Sequence, residues 1–545
     1  MYPRYIFEIL AHAGVFHDRV AIAELESKLD QLRVLVTVGE ADLADALKKK
    51  MTDWIDGGGM WISVAGLAGL ESLLGVSRSQ VTYKNWGGGM RSLGEGYLVA
   101  KDAKHPMLAH LNRPLHFFGG AAVEATDAKV LATAQDPHGR STNQPVLLER
   151  QVGKGKCIFI APDLTGTVVY IQQGHGITRD GVPSPDGTSP INDGVLKSDD
   201  GAVLDWYFDR EPVEGVEGLS IFVQPVADLW RELLLRGIFY AAREANVALP
   251  VLWYWPRKLP AVGHLSHDTD MNDPALAQVL LDTLAAGEVK STWCVILPGY
   301  DREIMAKIKS AGHEYATHYD AQEGKPFCEE QFDRQFAELK QLFGEQPVTN
   351  KNHFLRWEGD TELWDWCHKH GIQLDQSKGA SKTGEAGFNF GTCHPYFPVR
   401  FNSEMIDVLE LATPTQDLFV FAPEAILEPL LAQALKRNGV LHLLFHPAHF
   451  GKEPVPPAML TAIRRGKEEG LEWWTARQIN AWERARRTVA VKQIEGKSIT
   501  LQASTQLADA TILRLSPDAS DFSAWGFNFK ATTTTLRGET RIELD

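Results

Sequence analysis

Histidine is concentrated in about one third of the chain. Of the 18 histidines in the sequence, 11 lie between His264 and His449. Imidazole is the commonest metal ligand in proteins, and it also serves as a general acid or base near neutral pH. Carboxylates and imidazoles that meet at one place can bind a divalent cation and activate a water molecule. Metal-assisted chemistry is therefore expected in this stretch.

Polar side chains in this stretch follow predicted strands. Asp268 and Asp270 come directly after the strand 262–267, and His446 follows the apolar strand 440–445. In a barrel of alternating strands and helices, the carboxyl ends of the strands meet at one face, and catalytic residues collect there. We expect three further residues to lie at the same face: His318, His353 and Arg356.

The elements that must position these residues alternate between strands and helices. Strands are predicted from continuous apolar or β-branched runs, and helices from apolar residues spaced three or four apart. The predicted strands of the central region are 262–267, 290–296 and 439–445, and its predicted helices are 274–286, 301–311, 330–343 and 361–370. Repeated strand–helix units predict a (β/α) barrel over residues 258–484.

Two further regions flank the barrel, so the predicted fold class is α/β with three domains. In residues 1–250, strand, helix, glycine turn and strand follow one another, which favours a doubly wound parallel sheet. Its predicted strands are 32–38, 60–64 and 156–161, and its predicted helices are 41–55 and 225–246. The Gly-, Pro-, Ser- and Asp-rich stretch 174–201 is predicted to be a long surface loop. Residues 486–545 alternate apolar and polar residues in short runs, which predicts a small all-β domain.

Composition and charge exclude several classes of protein. The chain has 545 residues, and 55 basic against 70 acidic residues give a net charge of −15. A net acidic chain lacks the general electrostatic footprint of a nucleic-acid-binding protein. No apolar run reaches the roughly 18 residues that span a bilayer, and Glu8 interrupts the stretch where a signal peptide would be apolar. We expect no nucleic-acid partner, no membrane span and a cytoplasmic location, and the sequence does not determine the oligomeric state.

Four stretches resemble the motifs of the metal-dependent polysaccharide deacetylase family, and they occur in the family's order. They are 264–270 (HLSHDTD), 290–295 (KSTWCV), 312–318 (GHEYATH) and 439–446 (GVLHLLFH). The resemblance covers most of the central region. It implies that the catalytic unit is a distorted (β/α) barrel and that the substrate is an N-acylated carbohydrate.

The resemblance also implies a role for individual residues. Asp268 matches the general base that takes a proton from water, and His446 matches the general acid that protonates the leaving amine. Asp270 and His318 match metal ligands, and zinc is the first choice for a mixed shell of nitrogen and oxygen. Such a site implies hydrolysis of the C–N bond of an N-acylated sugar.

The third metal ligand of the family is not where its motif would place it. A second histidine usually follows the first by four residues, but Gln322 occupies that position here. Asp320, His353 and His394 are the candidates to replace it. We favour His353, because it lies beside the strand that carries Arg356.

Other positions extend the family pattern or depart from it. Arg356 occupies the place of an arginine that orients the catalytic aspartate, although Trp357 and Glu358 follow it instead of Pro and Tyr. Trp357 is a candidate for stacking on a sugar face, and His394 is a candidate for binding substrate. Asp375 falls where the family's fourth motif carries a polar group.

The first region resembles the class I glutamine amidotransferase-like superfamily. The resemblance lies in 53–62 (DWIDGGGMWI) and 153–163 (GKGKCIFIAPD). An active amidotransferase carries a nucleophilic cysteine on the sharp turn after a strand, but the turn 63–69 reads SVAGLAG. The resemblance therefore implies a non-catalytic domain that serves as a scaffold or recognises sugars.

These observations lead to one main hypothesis and two alternatives. The main hypothesis is a metal-dependent carbohydrate N-deacetylase. Gln322 favours instead a catalytically degenerate barrel that binds a glycan or a partner protein without turnover. A metal-dependent hydrolase of a non-sugar amide or cyclic imide would share the chemistry of the site.

Overall fold

The chain folds into two compact units. The computed structural model describes residues 2–82, 89–90, 92–181, 192–322, 324–382, 384–496, 498–516 and 520–543. Unit 1 comprises Met1–Tyr170, Leu229–Arg257 and Arg486–Asp545, and unit 2 comprises Ile171–Asp228 and Lys258–Ala485. The segment 171–228, which the sequence analysis assigned to the first domain, thus belongs to the unit that contains the central region.

Unit 1 contains a seven-stranded sheet whose parallel part uses the predicted strands. In order across the sheet, the strands are Val34–Val38, Met60–Val64, Gly155–Ile160, Ser141–Val152, Lys129–Gln135, Ser92–Ala100 and Leu115–Ala121. The first three pair in parallel, as predicted. The other four extend the sheet with antiparallel pairing, which the sequence pattern did not indicate.

Helices of unit 1 follow the predicted order with small shifts at their ends. They are Ile6–His12, Ile22–Lys28, Asp45–Asp56 and Glu71–Leu74, and the helices Leu164–Gln173, Val226–Glu244 and Ala476–Arg487 carry the chain from one unit to the other. The turn after the strand Met60–Val64 holds Ala65 at a φ of 55°. A strained turn of this kind presents the nucleophile in some hydrolases, but alanine supplies no reacting group.

The C-terminal residues form an antiparallel sheet, which confirms the predicted all-β region. Its strands are Pro250–Leu252, Ala490–Glu495, Ser498–Leu515, Phe522–Ala524 and Phe527–Glu543. The strand Ala490–Glu495 pairs antiparallel with Ser498–Leu515, with Glu495 opposite Ser498. The strand Pro250–Leu252 pairs with residues 512–514, so an earlier part of the chain completes the sheet.

Unit 2 is built on a curled sheet of parallel strands. They are β1 (Val262–Asp268), β2 (Thr292–Val295), β3 (Glu314–Tyr319), β4 (Thr349–Asn352), β5 (Leu374–Asp375), β6 (Leu409–Glu410), β7 (Val440–Leu444) and β8 (Glu472–Trp473). Their order is β6-β5-β4-β3-β2-β1-β7, and β8 pairs with β1. Gln416, which follows β6, forms a parallel bridge with Leu444 of β7. This bridge brings the two ends of the sheet together, so the central region is a distorted (β/α) barrel, as predicted.

Helices pack against these strands and bury a continuous apolar core. They are α1 (Pro274–Ala286), α2 (Arg302–Ser310), α3 (Glu329–Phe343), α4 (Glu362–Lys369), α5 (Leu427–Arg437) and α6 (Val455–Glu468). Asp273 caps the start of α1 and Asp301 caps the start of α2, each accepting backbone N–H groups. None of the helices in the described part of the chain has the length and apolar character needed to cross a bilayer.

The predicted surface loop 174–201 is only partly described, and its end is buried. Residues 182–191 lie outside the described residues, whereas Ser198–Gly201 form a buried 3-10 helix. Asp199 Oδ2 accepts hydrogen bonds from the backbone and the hydroxyl of Ser381, at 3.0 and 2.8 Å. Asp200 Oδ1 accepts one from Lys382 Nζ at 2.6 Å. The prediction of a surface loop is therefore wrong for residues 198–201. These polar contacts hold a hydrophilic segment in the interior.

Candidate active site

Two aspartates lie at the carboxyl end of β1. Asp268 is the last residue of that strand and is buried, and Asp270 follows after one residue with a φ of 20°. Thr269 fixes the turn between them, because its hydroxyl accepts the backbone N–H of Ile296 at 3.1 Å. Both carboxylates are thereby held at the mouth of the barrel, as the motif predicts.

His318 of β3 directs one ring nitrogen at these carboxylates. Its Nδ1 donates to the backbone carbonyl of Lys351 at 2.8 Å. A carbonyl oxygen only accepts, so this bond fixes the tautomer and leaves a lone pair on Nε2. His318 Nε2 lies 3.3 Å from Asp270 Oδ1 and 3.9 Å from Asp268 Oδ2.

His353 approaches Asp270 from the short 3-10 helix that follows β4. Its Nδ1 donates to Asp320 Oδ1 at 2.9 Å, and its Nε2 lies 3.7 Å from Asp270 Oδ1. One ligand atom from each of Asp270, His318 and His353 lies within 4.8 Å of the other two. The structure therefore places His353, the favoured third ligand, beside the other two, while Asp320 orients it from behind.

The chemistry of this group fits a divalent cation. His318 Nε2 and Asp270 Oδ1 are buried, and neither has a hydrogen-bond partner among the described residues. Buried polar atoms without partners are costly in a folded protein. Two imidazole nitrogens and a carboxylate oxygen form a mixed shell of the type that zinc binds. A metal ion would satisfy these atoms.

The electrostatics of the site favour positive charge. Burial alone would raise the pKa of Asp270, but the imidazoles of His318, His446 and His353 hold that pKa well below its ordinary value. Burial lowers the pKa of His318, but Asp268 and Asp270 outweigh this effect, and the pKa of His318 rises above its ordinary value. A site with this balance attracts a proton or a cation.

His446 faces the same aspartates from the end of β7. Its Nε2 lies 3.7 Å from Asp270 Oδ2 and 4.0 Å from Asp268 Oδ2. Asp417 holds the residue in place, because it accepts the His446 backbone N–H at 2.8 Å and a short hydrogen bond from Nδ1. Burial lowers the pKa of His446, but the charge of Asp417 dominates and raises it to about 9. The raised pKa favours the protonated imidazole, which is the form that a general acid needs.

Lys351, which the sequence analysis did not single out, contacts the predicted base. It lies in β4 and is fully buried, with Nζ 3.5 Å from Asp268 Oδ1. The same Nζ donates to Ser266 Oγ at 2.7 Å. His442 Nδ1 donates to a backbone carbonyl, so its Nε2 accepts the hydroxyl of Ser266 at 2.8 Å. This chain of hydrogen bonds fixes the ammonium group of Lys351 next to the carboxylate of Asp268.

The prediction that Arg356 contacts and orients the catalytic aspartate, Asp268, is wrong. Within the described residues, its guanidinium pairs with Glu358, at 3.1 Å from Nε, and donates to the carbonyl of Ala321, and no contact with Asp268 is seen. Lys351 takes the position next to Asp268 instead. The physical reason is that β4 ends at Asn352, so Arg356 lies beyond the strand, outside the barrel interior.

Asp375, which matches the polar position of the family's fourth motif, lies away from the two aspartates of β1, and Asp417, which the sequence analysis did not single out, contacts His446. Asp375 is fully buried at the end of β5, where its Oδ1 accepts hydrogen bonds from Asn350 and Ser377 at 2.7 and 2.9 Å. It therefore belongs to the polar interior of the sheet. Asp417, in an irregular segment after β6, is the carboxylate that holds His446.

The two predicted substrate-binding residues also need correction. Trp357 is fully buried, its Nε1 donates to the carbonyl of Asp360 at 3.1 Å, and Lys378 Nζ lies 3.9 Å from its ring centre. A ring enclosed in this way offers no face to a sugar. His394 is buried as well, and its Nε2 donates to the carbonyl of Arg437 at 2.9 Å. It belongs to a separate group with Asp228 and Cys393.

Comparisons with known proteins give weak likenesses. No family model matches the chain, and no curated protein matches it. Among solved structures, a "putative polysaccharide deacetylase from Mycobacterium smegmatis" is 19% identical over 45% of this chain and 97% of that chain, with a TM-score of 0.34. A protein described in the same words from Bordetella bronchiseptica is 15% identical over 38% of this chain and 86% of that one, with a TM-score of 0.26. A β-galactosidase from Bacillus circulans is 12% identical over 33% of this chain and 30% of its own, with a TM-score of 0.24.

Proposed function

We propose that the chain is a metal-dependent hydrolase that removes an N-acyl group from a carbohydrate. The observation that carries the proposal is the arrangement around Asp270. His318 and His353 approach its Oδ1, and His446 approaches its Oδ2. Asp270, His318 and His353 would hold a divalent ion, zinc being the first choice, and such an ion would supply Lewis acidity at the reacting carbonyl.

The residues around this group supply a base and an acid. Asp268, with the charge of Lys351 beside it, is a carboxylate that accepts a proton from the attacking water. His446, oriented by Asp417, donates a proton to the departing nitrogen. The C–N bond breaks, the hydroxyl of the water goes to the acyl carbon, and the amine leaves with the proton from His446.

The choice of a carbohydrate rests on the resemblance of four motifs to the polysaccharide deacetylase family. The alternative of a degenerate barrel rested on Gln322, where the family has a histidine. His353 brings a second imidazole to the group from the short 3-10 helix after β4. This second imidazole supports an active site over a barrel without turnover.

Metal content and acetate release test the proposal together. The wild type, Asp268→Asn and the matched control Asp282→Asn, whose carboxylate lies on the exposed face of α1, are loaded with zinc and analysed for bound metal. Acetate release is then measured with N-acetylglucosamine oligomers. We expect metal in all three proteins and acetate with the wild type and Asp282→Asn only.

Each other outcome rejects a specific part of the proposal. A wild-type protein that binds no divalent metal under any loading condition rejects the metal-dependent site. Bound metal without hydrolysis of any N-acylated sugar, whatever the length of its acyl group, favours a binding protein. Hydrolysis of simple amides or cyclic imides, but not of the sugars, favours a non-carbohydrate substrate.

A further inference from the structure

One exposed phenylalanine lies beside the proposed metal ligands. The ring of Phe354 contacts that of His353 edge to face, with 4.6 Å between ring centres, and Phe354 is 51% exposed. Its φ is 60° and that of Leu355 is 51°, a left-handed conformation that is unusual for bulky side chains. Leu355 is buried, so this backbone conformation turns one apolar residue inward and holds the other at the surface.

The orientation of the Phe354 ring is fixed by a second contact. Lys197 Nζ lies 5.3 Å from the ring centre, which is a cation–π contact. The ammonium of Lys197 is in turn held by Asp193 Oδ2 at 2.6 Å. The ring is thus a positioned apolar surface, since both its backbone and one neighbour restrain it.

A second exposed phenylalanine lies beside the proposed general acid. The ring of Phe421 is 6.2 Å from that of His446 and 5.4 Å from that of His449, centre to centre, and Phe421 is 60% exposed. Its backbone N–H donates to the carbonyl of Asp417 at 3.0 Å. The residue that orients His446 therefore also positions Phe421.

The two rings neighbour different groups of the proposed site. Phe354 contacts His353, whose Nε2 lies 3.7 Å from Asp270 Oδ1, and Phe421 lies near His446, whose Nε2 lies 3.7 Å from Asp270 Oδ2. Because the proposed acid must reach the leaving nitrogen, a bound sugar would lie next to His446 and Phe421. The acyl substituent is bonded to the other side of the reacting carbon, so it would be directed away from the sugar, and Phe354 is the exposed apolar side chain beside the other proposed ligand.

From this arrangement we infer that the substrate is a sugar whose N-acyl group is longer than acetyl, with the acyl chain packed on Phe354 and the sugar ring packed on Phe421. The inference rests on the proposed function, whose substrate it specifies. An acetyl methyl group would cover little of an aromatic ring that is half exposed, whereas several methylene groups would remove it from water. Phe354 then determines the preferred chain length, and Phe421 contributes equally for every acyl group.

A series of substrates tests the inference. N-acetyl-, N-butyryl- and N-hexanoyl-glucosamine are offered to the zinc-loaded wild type, Phe354→Ala, Phe354→Leu and Phe421→Ala, with Phe401→Ala as an exposed aromatic control. We expect kcat/KM of the wild type to rise up to about fourfold for each methylene group that is buried. Phe354→Ala abolishes this dependence and Phe354→Leu restores part of it. Phe421→Ala lowers kcat/KM by the same factor for all three substrates, and Phe401→Ala changes nothing.

Binding measurements distinguish a failure of this inference from a failure of the proposed function. Calorimetric affinities for the same three sugars are measured with Asp268→Asn, alone and combined with Phe354→Ala. Affinity that rises with chain length and depends on Phe354 supports the inference even when no variant hydrolyses any substrate. The inference is overturned if affinity and wild-type kcat/KM stay constant or fall from the acetyl to the hexanoyl sugar. This holds even when all three sugars are hydrolysed.

Discussion

The ammonium of Lys351 lies 3.5 Å from the carboxylate of Asp268, and both side chains are buried inside the barrel. Lys351 is held there by Ser266, which accepts its hydrogen bond and donates its own to His442. A buried ion pair adds little net stability over an apolar pair, but removal of one partner leaves an uncompensated charge. Lys351 therefore affects both the stability of the fold and the charged state of Asp268, the proposed base.

Lys351→Met is expected to destabilise the protein and to reduce its activity. The unpaired carboxylate of Asp268 should lower the free energy of unfolding by about 3–5 kcal/mol, measured by urea denaturation. Lys351→Met combined with Asp268→Asn should recover part of this loss, because the isolated charge is removed. Lys307→Met, on the exposed face of α2, should change stability by less than about 1 kcal/mol. Wild-type stability of Lys351→Met would contradict the ion pair.

Asp417→Asn should lower kcat with little change in KM. Asp417 orients His446 through its backbone N–H and its ring, and it raises the pKa of the imidazole. Loss of a general acid reduces rates by roughly 10²–10⁴-fold, so a fall of this size is expected in steady-state assays. Bound metal, determined by elemental analysis, should be unchanged. A variant with wild-type kcat would exclude His446 as the acid in this mechanism.

The strands and residues that carry apolar or motif signals could be predicted from the sequence. β1, β2 and β7 are fully buried strands that the sequence pattern predicts, and it also predicts that Asp268, Asp270 and His446, at the ends of β1 and β7, lie at one face. The parallel order of the sheet then brings Asp268, Asp270, His318 and His446 together. Here local pattern and global topology agree.

Residues on elements without such signals could not be placed. β4 reads Thr-Asn-Lys-Asn and contains no apolar side chain, although all four of its residues are buried. Its burial depends on cross-strand hydrogen bonds, such as Thr317 to Asn350 at 2.8 Å, which no single segment reveals. Lys351 was missed for this reason. Asp417 lies in an irregular segment, where neither periodicity nor a strand end indicates its position.

Trp357→Ala should affect stability and leave substrate affinity unchanged. The indole is fully buried and packs on Trp364, with ring centres 4.8 Å apart. Truncation of a buried tryptophan costs about 3–5 kcal/mol through lost contacts and the cavity that remains, which thermal or urea unfolding will measure. KM at a temperature where the variant is folded should match that of the wild type. A rise in KM without a loss of stability would restore the stacking role.

The third metal ligand can be identified by comparing His353→Ala with His394→Ala. His353 Nε2 lies 3.7 Å from Asp270 Oδ1, whereas His394 lies in a separate buried group and donates to Arg437. We expect His353→Ala to lose bound zinc and His394→Ala to retain it. Asp320→Ala, which frees His353 Nδ1, should weaken zinc binding by about 10–100-fold, since the residues behind metal ligands contribute affinity of that order. Competition with a chromogenic chelator measures all three affinities. The opposite result, zinc lost from His394→Ala and retained by His353→Ala, would contradict His353 as the third ligand. The zinc site would then have to be the group of Asp228, Cys393 and His394.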